Sequence, residues 1–469
     1  MENVKEICEK ANQLYANKNY PEAVELWKQA ALQNDSNALY MLGICYNYNL
    51  GVDEKDAEKR GIIASEYFIK SAELGDANAQ CFAGLCFLHG IGVEKNIEKA
   101  VEWFEKSAEQ NCTQAMNNMG LLFKQGKYTI DDSETNDLTD ENTDDNEEYI
   151  DNKNYKLSFE WFKKSADLND ATGQMYVGMA YFKGLGVDED KKKAINYYRM
   201  SAEQGLTDAM LYLGECYENG EYIEKNDIEA FKWYKAAAQK NNAKAQCYVG
   251  YCYEYGTGVA VNLAEAISWY QLSARNNYFQ AFCNLGCCYE QGKGVKRNMN
   301  TAISLYEKAV ELGSVHAMYN LGNVYAFGKG VKVDNERAIE YYRMAADNGQ
   351  PEAQYNLAQH LYKGLGVEKN DEEAAYWFYQ SAQGGDADAQ CKIGIFFMNG
   401  IGVEENLKAA YYWFMQSALQ GDMEAQYSLG LCYMDGLGVE VDYDEAKDWL
   451  LRAAEQGHRD AKKALKKLR

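Results

Sequence analysis

The chain has 469 residues, 47% apolar and 25% charged, a balance that suits a folded body, and no stretch approaches the ~20 apolar residues a membrane helix needs. Its formal charge of −23 repels phosphate backbones and anionic lipid, and without a broad basic stripe neither a nucleic-acid nor a membrane partner is expected. The opening MENVKEICEKANQ is charged and lacks an apolar core before a cleavage site, so no secretory leader is expected and the cytoplasm is the default location.

Length alone suggests about three domains, but an internal repeat overrides it. A glycine recurs every 36 residues at Gly178, Gly214, Gly250, Gly286 and Gly322, gives way to Ala358, and resumes at Gly394 and Gly430. An alanine keeps the same pitch through Ala194, Ala230, Ala266, Ala302, Ala338, Ala374, Ala410 and Ala446. Self-similarity at this period predicts stacked helical hairpins, none of which can bury its apolar face alone.

In chain order, residues 1–36 read as a degenerate first repeat, and residues 37–126 as full repeats with a five-residue expansion at 50–64. Residues 127–153 interrupt a hairpin loop; 11 acids and no base fall within 131–151, nearly half of the net charge, and so apolar-poor a segment is expected to be disordered. It faintly resembles a calcium loop but lacks the central glycine, so no calcium is expected. Repeats resume over 154–457, and residues 458–469 form a capping helix whose Lys462, Lys463, Lys466, Lys467 and Arg469 keep the end of the stack polar.

Within each repeat, the second helix starts at an Asn or Asp four residues before the alanine: Asn96, Asn154, Asp190, Asn226, Asn262, Asn298, Asp334, Asn370, Asn406 and Asp442. These are predicted N-caps, and Glu229, Glu265, Glu373 and Glu445 complete capping boxes. The helix ends at Gly or Asn, as at Asn277, Gly385 and Gly421, the residues that most readily turn left-handed. Tandem aromatics such as Trp233-Tyr234, Trp269-Tyr270 and Trp413-Phe414 recur at helical spacing and are predicted core. The first helix ends in Gly-x-Gly-Val loops at 90–93, 184–187, 256–259, 292–295, 364–367, 400–403 and 436–439; none carries a phosphate-loop signature.

On these residues the chain resembles the Sel1-like repeat (SLR) family, a relative of the tetratricopeptide repeat, over essentially its whole length; the family pattern stands nearly complete at 389–421 and 425–457. The resemblance implies an all-α, right-handed superhelical solenoid of about 12 antiparallel helix pairs, a protein-binding role in adaptor or signalling assemblies, and no catalytic residues.

Counting from the marker glycine, first-helix positions −5, −1 and +3 share one side of the helix, and −3, +1 and +4 the other. If that second side lines a concave groove, as the resemblance implies, its early residues are Cys81, Leu85, Leu88, Leu121, Met175, Met179 and Phe182. The middle presents Glu215, Glu218, Glu254 and Glu290 beside Tyr251, and the later repeats Tyr319, Tyr355, Tyr362, Ile395, Met398, Tyr427, Leu431 and Met434. Methionine and tyrosine suit adaptable recognition of a protein or peptide, and the carboxylates would select basic segments. The competing reading is that these side chains only close the stack.

Other functions find less support. The four histidines fall at unrelated repeat positions, and no His-Glu-x-x-His, Cys-x-x-Cys or nucleophile elbow is present, so neither an enzyme nor a cofactor is expected. Of 13 cysteines, six lie at +2 and four at −3, a pattern that predicts small packed thiols rather than disulfides. Cys247, Cys283 and Cys287 could approach one another, but three thiols without a fourth ligand make a poor zinc site.

Overall fold

A computed structural model describes residues 3–128, 143–220 and 222–468, with side chains outside 143–151. Among the described residues there are 25 helices and no strand. The chain divides into two compact units, Met1–Lys240 and Asn241–Arg469, and within each the helices form successive pairs.

The pair Ala243–Tyr255 and Leu263–Arg275 shows how the repeat folds. Gly256, left-handed at φ 79°, ends the first helix, and the Asn262 N–H returns to the Tyr253 carbonyl at 2.9 Å. The Asn262 side chain then accepts the Glu265 N–H at 3.2 Å, satisfying one of the free amides of the second helix. Near the far end, Ser273 donates to the Ala243 carbonyl at 2.6 Å, which fixes the two helices antiparallel. Ser107, Ser201, Ser381 and Ser417 make the same tie in their own repeats. The predicted capping boxes are half right: the caps form, but the cap's own N–H goes to a first-helix carbonyl, as Asn226 to Tyr217 at 2.8 Å and Asp442 to Tyr433 at 3.0 Å.

The marker glycine is a close-approach residue. A Cβ on Gly250 would stand 2.6 Å from Tyr270 Cδ1, and one on Gly286 or Gly322 would stand 2.5 Å from the ring of Tyr306 or Tyr342. Those rings, four residues after the marker alanine, are fully buried, so the helices meet where only hydrogen fits. The left-handed glycine ending the second helix is different: Gly385 has φ +93° with nothing within 4 Å of a Cβ, so only backbone conformation selects it.

Amides tie neighbouring repeats. Buried Gln390 donates to the preceding repeat's Ala382 carbonyl at 3.1 Å and accepts from Gln420 at 2.8 Å. All ten cysteines at +2 and −3 are buried, and none of the 13 forms a disulfide.

One predicted cap is absent. The helix expected to start at Asn154 runs Thr143–Asp167, and Asn154 lies buried inside it. No glycine or proline separates Thr143 from Asn154, so the backbone ladder continues where the other repeats have a loop. The later part of residues 127–153 is therefore helical, and residues 129–142 lie outside the described residues. At the other end, the helix Arg459–Lys467 buries Ala461 and Ala464 and is capped by His458, whose Nδ1 accepts the Ala461 N–H at 3.0 Å.

Candidate functional site

The first helices of each unit present their side chains in register. Those of the first unit include Ala77–His89, Thr113–Lys124, Ala171–Lys183 and Thr207–Asn219. Position +1 places Leu85, Leu121, Met179 and Glu215 in one row, all half-buried. Leu88 packs with Leu85 on the core around Phe104, Phe182 lies under Lys191 with Nζ 5.2 Å from the ring, and Lys124 Nζ stands 3.5 Å from Met179 Sδ. Position −3 does not belong to this surface. Cys81 and Met175 are only 0% and 6% exposed. The next first helix covers Cys81, whose sulfur accepts from Asn118 Nδ2 at 3.6 Å.

In the second unit Tyr251 is the exposed member, its ring tilted 37° against Tyr255 with centroids 4.6 Å apart. Tyr319 packs on Tyr342, Tyr355 on Phe378, Tyr362 on Phe396 and Tyr427 on His458, at centroid distances of 6.2, 5.5, 5.1 and 4.3 Å. Much of each ring is thus committed to stacking the repeats. Ile395 and Met398 lie half-buried against the core around Phe414, and Leu431 and Met434 are half-buried on the following first helix, Met423–Asp435.

The carboxylates are already engaged within the protein. The Tyr234 hydroxyl donates to Glu218 at 2.7 Å, Tyr270 to Glu254 at 2.9 Å, and Tyr306 to Glu290 at 2.8 Å. From the next repeat Lys293 approaches Glu254 at 3.1 Å and Lys329 approaches Glu290 at 2.7 Å. The Glu254 side chain is only 8% exposed. Burial, followed by the Glu254 carboxylate, pushes the Tyr270 hydroxyl far up, so it remains a donor. Glu254 and Glu290 therefore fasten neighbouring repeats, and Glu218 ties the two helices of its own repeat. A strip that reads as uniform acid along the sequence is divided in space between hydroxyl and ammonium partners.

Sequence reasoning also missed two sets of residues. Asp35, Asp76, Asp170, Asp386 and Asp422 cap the first helices, each directly after the left-handed Asn or Gly that ends the preceding one. That adjacency was visible in the sequence. Burial alone would raise the Asp170 carboxyl, but Asn117 at 2.9 Å, the Gly173 N–H at 2.8 Å and Thr113 at 3.1 Å outweigh it and hold the group below its usual range. The second set is Asn118, Asn284 and Asn320, which donate to the sulfurs of Cys81, Cys247 and Cys283 one repeat earlier. Asn320 reaches both Cys283 and Cys287, at 3.6 and 3.7 Å, while Cys247 accepts from Asn284 at 3.5 Å. Among the described residues no group of three or more His, Cys, Asp or Glu could hold a metal ion, and no helix is long and apolar enough to cross a membrane.

Comparison with known proteins agrees with this geometry. The Sel1 repeat model matches twelve segments, at residues 12–35, 36–76, 77–112, 151–170, 171–206, 207–242, 243–278, 281–314, 315–350, 351–386, 387–422 and 424–458. Comparison with curated proteins gave no match. Among solved structures, c5321, a protective antigen present in uropathogenic Escherichia coli strains and displaying an SLR fold, is 29% identical, with 95% of this chain and 93% of that chain covered and a TM-score of 0.57. A Sel1 repeat protein from Oxalobacter formigenes is 31% identical, with 66% of this chain and 90% of that chain covered and a TM-score of 0.47. With its helix pairs, its marker glycines and twelve matched segments, the chain belongs to the Sel1 repeat family.

Proposed function

We propose that the chain is a non-catalytic scaffold that binds protein partners on the first-helix faces of its two units. The observation that carries this reading is the +1 row. Leu85, Leu121 and Met179 in the first unit and Tyr251, Ile395 and Leu431 in the second keep surface beyond what packing of the repeats consumes. Their apolar and aromatic character suits adaptable protein contacts. Membership of a family of stacked helix pairs supports a binding role.

The net charge of −23 favours a partner with basic segments through long-range attraction, while the local contacts are apolar. Thirteen cysteines outside disulfides fit a reducing compartment and support a cytoplasmic location. Affinity purification of the full chain, compared with Leu431→Asp/Met434→Asp, tests the reading. Loss of specific partners at unchanged melting supports it; an identical set of partners for both proteins, with their cross-links on the second helices, contradicts it.

A further inference from the structure

The helix Phe279–Gln291 carries two thiols one turn apart on one face, Cys283 at −3 and Cys287 at +1. The −3 thiol recurs in other repeats at Cys81, Cys247 and Cys391, whereas the +1 thiol does not: the equivalent residues include Leu85, Tyr251, Asn323, Gln359 and Ile395. Cys283 is 2% exposed, and Cys287 is half-buried. One turn apart on the same face, the two sulfurs share a single donor. Asn320, from the next first helix, directs one amide at both, with Nδ2 3.6 Å from Cys283 Sγ and 3.7 Å from Cys287 Sγ. From the second helix of the same repeat, Tyr306 Oη stands 3.4 Å from Cys287 Sγ and 2.8 Å from Glu290, which Lys329 neutralises at 2.7 Å. Side chains from two further helices thus converge on a pair of sulfurs, and the Asn320 amide is aimed at both.

Geometry restricts what such a pair can do. Residues four apart on a helix have Cβ atoms about 5–6 Å apart, whereas an unstrained disulfide needs about 3.5–4.5 Å. Direct oxidation of the pair is therefore disfavoured. A bridging ion relaxes the requirement, because two metal–thiolate bonds of about 2.3 Å let the sulfurs stand as much as ~4.6 Å apart. A structural zinc site requires four ligands. With no third His, Cys, Asp or Glu available among the described residues, the site is limited to soft ions content with two thiolates.

We propose that Cys283 and Cys287 form a two-coordinate thiolate site for a soft monovalent cation, cuprous copper, with Asn320 as the hydrogen-bonding positioning residue and Tyr306 packed against Cys287. The step is not a redox reaction. Two thiols and Cu⁺ give S–Cu–S with a net charge of −1 and two protons released to solvent. The Asn320 amide offers its hydrogen to that charge. Because the partners come from three helices, occupancy should lock this repeat to the next one.

The test uses the full reduced chain under anaerobic conditions with the copper(I)–bicinchoninate complex as the probe. Wild type should withdraw one more equivalent of copper than Cys287→Ser or Cys283→Ser, and Cys391→Ser, an isolated −3 thiol, should match wild type. Asn320→Leu retains both ligands and should weaken competition ten- to a hundredfold. Circular dichroism identifies any variant that has lost its helices. X-ray absorption on copper-loaded wild type, which needs no variant, should show two sulfur neighbours. Equal withdrawal by wild type and a folded Cys287→Ser, or a copper centre with three or four sulfurs drawn from scattered thiols, overturns the proposal.

Discussion

Gly250→Ala should destabilise the second unit even though alanine is the better helix former. The new methyl would lie 2.6 Å from Tyr270 Cδ1 and 2.7 Å from Cε1, with the Ala266 carbonyl at 3.2 Å. The ring has little room to retreat, since it is 0% exposed and its hydroxyl is bonded to Glu254, itself paired with Lys293. Overpacking of this kind costs about 1–3 kcal/mol, and the gain in helix propensity returns only ~1 kcal/mol. The net loss is about 0–2 kcal/mol, which in a unit of this length lowers the melting midpoint by up to roughly 8 °C. The reverse exchange supplies the control. Ala358 occupies the marker position in its own repeat and is buried in one cluster with Phe378, so Ala358→Gly should lose about 1 kcal/mol of propensity and relieve nothing. Urea and thermal unfolding followed by circular dichroism, with hydrogen exchange of Ala243–Tyr255 and Leu263–Arg275, reads both changes. If Gly250→Ala stabilised the protein, as an exposed helical glycine replacement would, the close-approach explanation of the 36-residue marker would be wrong.

Gly385→Val meets no atom within 4 Å but must hold φ near +93°, so it should cost about 1–2 kcal/mol or more by unfolding titration, with no change in partner binding. Asp170→Ala removes a cap and strands the buried Asn117 amide, costing about 1–3 kcal/mol near neutral pH. Because the Asp170 carboxyl sits below its usual range, its contribution is present above the ordinary aspartate range and is lost as pH falls through the folded-state value. The gap between wild type and variant should therefore narrow in acid; a gap that widened would refute the hydrogen-bond assignment. Glu254→Lys should lower stability by about 2–4 kcal/mol, since it removes the acceptor of Tyr270 and sets an ammonium against Lys293. A neutral result in thermal melts would return Glu254 to the surface.

The backbone plan was legible because it rests on residues whose conformational demands are local. Asn226, Asn262 and Asn406 cap second helices as their spacing requires, and Asn277 and Gly385 turn left-handed where only such residues do so readily. Asn154 failed because a cap residue needs a chain break before it, and the helix from Thr143 supplies none. The binding face was less legible. A helical wheel separates two sides of one helix, but it does not show how much of each side the next repeat covers. Met175 and Cys81 share a side with Met179 and Leu85, yet the former pair is buried and the latter only half-buried. Likewise, Glu254 and Glu290 look like free charges until Tyr270, Tyr306, Lys293 and Lys329 arrive from 16 and 39 residues away.

The central claim, that the first-helix faces bind protein, is tested most directly by placing a photoreactive phenylalanine analogue at Leu431 and, separately, at Tyr412, an outward second-helix residue that is 52% exposed. The account predicts that irradiation with the co-purified partner gives an adduct from position 431 and none from 412. An adduct from position 412 alone would contradict it and move the binding surface to the second helices.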